Sequence, residues 1–115
     1  MSAAKHRLDN LVAIVDYNKH QSYGRTSEVL DLEPFAAKWS SFGFAVEETD
    51  GHDIESLNRT LTSIPFVSGK PSAIICHTVK GRGIAFAENN LQWHHKSSIK
   101  SKDVQELLNA IETST

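Results

Sequence analysis

LVAIVDYNKHQSYG, residues 11–24, is the stretch on which the reading of this chain turns. From Leu11 to Val15 no side chain is polar, which predicts a strand covered on both faces, as in parallel sheets flanked by helices. The run ends at Asp16-Tyr17, and Asn18 opens a polar turn. Open α/β sheets bind ligands just beyond the carboxyl ends of their strands. Asn18 is therefore a site candidate by position alone, although asparagine also favours ordinary strand-end turns. Upstream, only residues 2–7 look helical, so the chain is expected to begin partway through a larger unit.

Further strands are predicted at residues 44–49 and 72–79, after a first strand over residues 11–17. The first and third hold the runs LVAIV and AIIC and suit interior positions. FAVEET is shorter and more polar, and is expected nearer an edge. Between the strands, Phe35, Trp39 and Phe42 follow Pro34 at helical spacing, and proline suits a first helical turn. Ile54, Leu57, Leu61 and Ile64 form a second stripe, with Asp53 at its amino end and Pro65 near its stop. Val104, Leu107, Leu108 and Ile111 give a third, and all three stripes are expected to face a core. This order implies a layered α/β fold in a single partial domain, residues 1–115, with a long loop over residues 80–101.

The 115 residues allow one domain at most, and 39% hydrophobic with 23% charged residues describe an ordinary globular chain. Twelve Lys+Arg against fourteen Asp+Glu give a net charge of -2, which argues against nonspecific binding to nucleic acid or membrane. No apolar run has membrane-spanning length, and MSAAKHRLDN lacks the apolar core of a secretory signal. The single cysteine, Cys76, is expected to be a buried thiol in a reducing, cytoplasmic setting.

Two more segments carry chemistry. Lys80-Gly81-Arg82-Gly83 follows the AIIC strand, and its glycines allow close backbone approach while its cations can meet an anion. Within ENNLQWHH, His94 beside Trp93 can present an imidazole for proton transfer or for a hydroxyl. A structural zinc is not expected: Cys76 and His77 alternate across a strand, and His94-His95 lacks a ligand spacing.

Taken together, HRLDNLVAIVDYNKHQSYGR, FAVEETDGHDIESL and KPSAIICHTVKGRGIAFAENNLQWHH resemble the amino-terminal diphosphate-binding part of transketolase. The resemblance runs over nearly the whole chain and weakens in the final helix. It implies a partial three-layer α/β/α fold with a mostly parallel sheet, and thiamine diphosphate held through Mg²⁺. By that resemblance, Asn18 and the backbone carbonyl of His20 are magnesium ligands. Lys80 approaches the cofactor, and His94 contacts cofactor and sugar and acts in catalysis. Asp50-Gly51-His52-Asp53 has a structural role there, starting the following helix.

Several parts of the family pattern have no counterpart here. The Gly-Asp-Gly turn with its aspartate ligand is expected to precede Met1, along with histidines that contact the diphosphate. The activating glutamate belongs to a separate pyrimidine-binding domain. His95 stands where the family has glycine, which would crowd the loop that positions His94. The expected function is that of a fragment of transketolase. The parent enzyme would be a dimer transferring a two-carbon ketol unit between sugar phosphates in the pentose phosphate pathway. Alone, the chain is expected to be inactive, to bind cofactor and Mg²⁺ weakly or not at all, and to be unstable or to associate. Another thiamine diphosphate enzyme, such as deoxyxylulose phosphate synthase, and a non-catalytic remnant or interaction module stay open as alternatives.

Overall fold

A parallel sheet in the order β1–β5–β4 organises the chain, with β1 at Val12–Tyr17, β4 at Ala45–Asp50 and β5 at Ser72–His77. The computed structural model describes residues 1–93 and 96–113. A short antiparallel hairpin, β2 (His20–Gln21) and β3 (Gly24–Arg25), follows β1 directly. The helices are α1 (Ser2–Lys5), α2 (Thr26–Val29), α3 (Phe35–Ser41), α4 (Ile54–Thr62) and α5 (Ser101–Thr113). The three expected strands are thus present, each within a residue or two of its expected ends.

Register gives the sheet its useful property. Tyr17 pairs with His77 and His77 with Asp50, so all three strands end at one level. Side chains alternate between faces, which puts Tyr17, His77 and Glu48 on one face and Asp16, Cys76 and Thr49 on the other. An aromatic row covers the first face: Tyr17 to Phe35 at 5.0 Å between ring centroids, Phe35 to Trp39 at 6.3 Å, and Trp39 to Phe44 at 5.0 Å. Helix α3 therefore reaches across the sheet from β4 to the end of β1. Helix α4 also packs against β4, and Asp53 caps it by accepting the Glu55 and Ser56 amides at 3.0 and 3.3 Å.

β5 is the central strand and is buried from Ser72 to Cys76. β4 lies at an edge, as its polarity implied. β1 is an edge strand of this sheet too, and Ile14 is 61% exposed, although its apolar run taken alone suits an interior place. Its apolar run reads as an interior strand because composition records what a face tolerates, not what covers it. The same correction applies to the helical stripes. Val104, Leu108 and Ile111 of α5 are exposed, as are Phe42, Ile54 and Leu61. Only Leu107 of the α5 stripe turns inward, lining a small cavity with Ile84, Trp93 and Ile99. Residues 80–89 form successive turns, and one 3₁₀ turn follows at Leu91–Trp93.

Because burial concentrates in β5, truncations there and in β1 should differ sharply. Ile75→Ala, at a side chain with 0% exposure, is expected to cost about 2–5 kcal/mol in urea denaturation. Ile14→Ala is expected to stay within about 0.5 kcal/mol.

Candidate functional site

The polar residues that end the three strands meet at the carboxyl edge of the sheet, with the Asn18 turn standing above β1. Asn18 folds back on itself: its Oδ1 accepts the His20 amide at 2.9 Å, and its carbonyl bonds His20 Nδ1 at 2.9 Å. Lys19 between them has φ +66°, and its carbonyl accepts the Thr26 amide at 2.9 Å. That last bond makes His20 and Arg25 a non-hydrogen-bonded pair of the hairpin, so the His20 N–H and C=O both point away from β3. The Arg25 amide accordingly donates elsewhere, to Glu28. The Asn18 Oδ1 bound to the His20 N–H therefore lies on the side toward which the His20 carbonyl is directed. Nearby, Gln21 Nε2 is buried with no hydrogen-bond partner among the described residues.

A set of ionisable groups surrounds this turn. Tyr17, 5% exposed, donates its hydroxyl to Glu33 at 2.8 Å. Burial first, and then the Glu33 carboxylate, push its phenol up to about 12, so it stays a neutral donor. Glu33 also accepts the Phe35 amide at 2.9 Å. That bond, followed by the one from Tyr17, holds its carboxyl below the usual range. The Lys19 ammonium sits 3.2 Å from the Tyr17 ring centroid and 3.1 Å from His77 Nδ1. Its burial lowers its pKa, against the opposing pull of Glu33 and Glu48. His77 Nε2 lies 2.7 Å from Glu48.

On the opposite face, Thr78 donates its hydroxyl to the Asp16 carboxylate. His52 Nε2 accepts the Val79 amide at 2.7 Å, and the Gly51 amide bonds the His77 carbonyl at 2.8 Å. A Cβ at Gly51 would lie 2.4 Å from Thr78 Cγ2, so the Asp50-Gly51-His52-Asp53 turn is built for close packing against β5. A cleft of about 400 Å³ opens there, lined by Asp50, His52, His77, Thr78, Val79 and Arg82.

Lys80 is half-buried and lines the cavity of about 260 Å³ beneath α5, and its carbonyl accepts the Asn89 amide at 2.9 Å. Gly81 has φ +79°, and a Cβ there would lie 2.6 Å from the Ala87 carbonyl oxygen, so its close approach is to its own loop. His94 and His95 lie outside the described residues. Sequence reasoning passed over Lys19 and His77, whose only signal is their nearness to strand ends, and Glu33, which stands between α2 and α3. No group of three or more His, Cys, Asp or Glu among the described residues could hold a metal ion, and no helix there is long and apolar enough to cross a membrane.

Comparison with known proteins identifies the family. The family model for the transketolase thiamine diphosphate-binding domain matches residues 1–113. The chain belongs to the transketolase family. It is 46% identical over 96 residues to an apulose-4-phosphate transketolase subunit of Actinobacillus succinogenes, covering 84% of this chain and 34% of that protein. It is 41% identical over 95 residues to 6-deoxy-6-sulfo-D-fructose transketolase subunit SqwG of a Clostridium species, covering 83% and 34%. The crystal structure of Campylobacter jejuni transketolase matches with a TM-score of 0.80 at 27% identity, over 98% of this chain and 17% of that one. The chain thus spans about a third of the length of the curated transketolase subunits it matches, 34% in each case.

Cys76 gives this edge of the sheet a chemical probe. Burial first, and then Asp16, raise its thiol above the usual range. A raised folded value favours the protonated form, so its contribution to stability is complete below the ordinary thiol pKa of about 8.5 and is lost as pH rises through the folded value. Iodoacetamide at about pH 8 is expected to label the native chain far more slowly than the urea-unfolded chain, as read by mass spectrometry.

Proposed function

We propose that this chain supplies the cation- and diphosphate-holding edge of a transketolase that moves a two-carbon ketol unit between sugar phosphates. The observation that carries this reading is the Asn18 turn, which directs a side-chain amide oxygen and a backbone carbonyl to one side at the carboxyl edge of the sheet. Two neutral oxygens suit a hard, oxygen-seeking ion such as Mg²⁺, which takes its remaining ligands from phosphate and water. Asn18 Oδ1 already accepts one hydrogen bond and keeps a second lone pair for the ion. The buried Gln21 Nε2 is a donor that an anionic oxygen would satisfy. These residues fit the group.

In this reading Asn18 Oδ1 and the His20 carbonyl hold Mg²⁺, and Lys80 approaches the diphosphate. His94 is the catalytic residue that orients a sugar hydroxyl and moves its proton. Bound thiamine diphosphate supplies an electron sink for breaking and forming the carbon–carbon bond beside a carbonyl. The named relatives are transketolases of apulose 4-phosphate and of a 6-deoxy-6-sulfo-fructose, which favours an anionic ketose as the substrate. The pentose phosphate pathway is one setting for it, and a cytoplasmic location accords with a reduced Cys76. A pyrimidine-binding domain and a further acidic ligand would complete such a site, and a dimeric assembly would bring the two domains together. The transketolase relatives and solved structures that match favour this over a deoxyxylulose phosphate synthase.

Calorimetry tests the assignment. In an assembly of this chain with a transketolase pyrimidine-domain subunit, thiamine diphosphate affinity is expected to require Mg²⁺ and to fall at least about tenfold, or 1.4 kcal/mol, in Asn18→Ala. Equal affinity with and without Mg²⁺, unchanged in the variant, would refute it. The chain alone is expected to show no ketol transfer from a ketose phosphate to an aldose phosphate. Turnover by the chain alone would count for a complete site within it.

A further inference from the structure

Lys19 presents a problem that the cofactor chemistry does not solve. It separates the two proposed oxygen donors, and its φ of +66° is a left-handed conformation that a residue with a Cβ adopts only when its surroundings hold it there. The holding groups come from all three strands. Its ammonium rests on the Tyr17 ring of β1, 3.2 Å from the centroid, and 3.1 Å from His77 Nδ1 of β5. His77 Nε2 in turn lies 2.7 Å from Glu48 of β4. An ammonium can only donate and a carboxylate can only accept. His77 therefore accepts at Nδ1 and donates its proton from Nε2, as a neutral imidazole in one tautomer.

We infer that Lys19, His77 and Glu48 form a relay of positioning residues that locks the Asn18–His20 turn to the sheet and so aims its two oxygens. The relay deepens the reading of that turn as a cation site and rests on it. Tyr17 completes the seat beneath the ammonium, and its bond to Glu33 at 2.8 Å ties the same ring to the start of α3. The register that sets Tyr17 beside His77 makes the span possible, since Glu48 then lies one pleat back on the same face. None of the three side chains is required by the packing of the core. His77 and Glu48 side chains are 42% and 50% exposed.

Backbone amide exchange on the full chain, followed by NMR, reads the relay without any ligand. The reporters are the His20 and Thr26 amides, which bond Asn18 Oδ1 and the Lys19 carbonyl. His77→Ala and Lys19→Met are expected to speed exchange at both about tenfold or more, with Ile74 and Ile75 of β5 unchanged. His77→Gln, which keeps an acceptor and a donor, is expected to restore slow exchange. Glu48→Ala, at an exposed edge position, should show the same pattern more weakly, and it serves if His77→Ala does not fold. Reporter amides that exchange at the wild-type rate in His77→Ala, or in Glu48→Ala where that serves, would overturn the relay. So would acceleration shared equally with Ile74 and Ile75. Mn²⁺ affinity by electron paramagnetic resonance, in the assembly with a transketolase pyrimidine-domain subunit and with thiamine diphosphate present, is the second reading. It is expected to weaken about 10-fold or more in His77→Ala and to recover in His77→Gln. A wild-type assembly that orders the turn but takes up no Mn²⁺ would sink the cation reading and leave the relay standing.

Discussion

The in-register parallel pairing of β1, β5 and β4 is the constraint on which the rest of this structure depends. It ends three strands at one level, at Tyr17, His77 and Asp50, so the next residues of each leave the sheet side by side. A slip of one residue in β1 would turn Tyr17 to the face away from α3 and detach the Asn18 turn from its supports. Packing and chemistry thus share one requirement. The aromatic row under α3 needs Tyr17 on the covered face, and the ammonium of Lys19 needs the same ring beneath it.

The oxygens of the Asn18 turn are neutral by nature, and the carboxylates at this edge are engaged elsewhere. Glu33, Glu48 and Asp16 lie nearby, yet each is engaged: by Tyr17 and the Phe35 amide, by His77, and by Thr78. What the turn offers outward is an amide oxygen and a peptide carbonyl. Such donors bind a divalent ion weakly unless phosphate and a further carboxylate share the work. This accords with a chain that spans about a third of its relatives' length, 34%, and with a binding strength that depends on what completes it.

Much of the fold was legible in the sequence, for reasons that particular residues make plain. LVAIV and AIIC announce strands because a continuous apolar run bounded by polar turns has few other uses, and Asp53 announces α4 because a carboxylate there caps free amides. Asn18 stood out by its place after a strand, and its partner His20 came only from resemblance to a family. Edge position was not legible in the residues of β1 themselves, since exposure of Ile14 depends on what lies beside it and not on its own periodicity; it came only from the family pattern. The same holds for Val104, Leu108 and Ile111, whose spacing is helical whether or not anything covers them. Lys19, His77 and Glu48 were invisible for a different reason. They are 58 and 29 residues apart in successive steps, and only the sheet register brings them into one line.

Stability and chemistry make opposite demands on the Asn18 turn. A glycine at position 19 would meet a φ of +66° without strain, and the chain carries lysine there instead. The left-handed conformation is then held by a long side chain whose charged end is seated on Tyr17 and His77. A strained turn fastened at its side chain can be rigid without burying its backbone, which leaves the carbonyl of His20 directed outward. Glycine would relax the backbone and free it to wander. Lysine costs conformational entropy to order, and the polar contacts at its tip offset that cost only while β1, β4 and β5 keep their register. The geometry of the proposed site is therefore a property of the sheet as a whole, expressed at one turn.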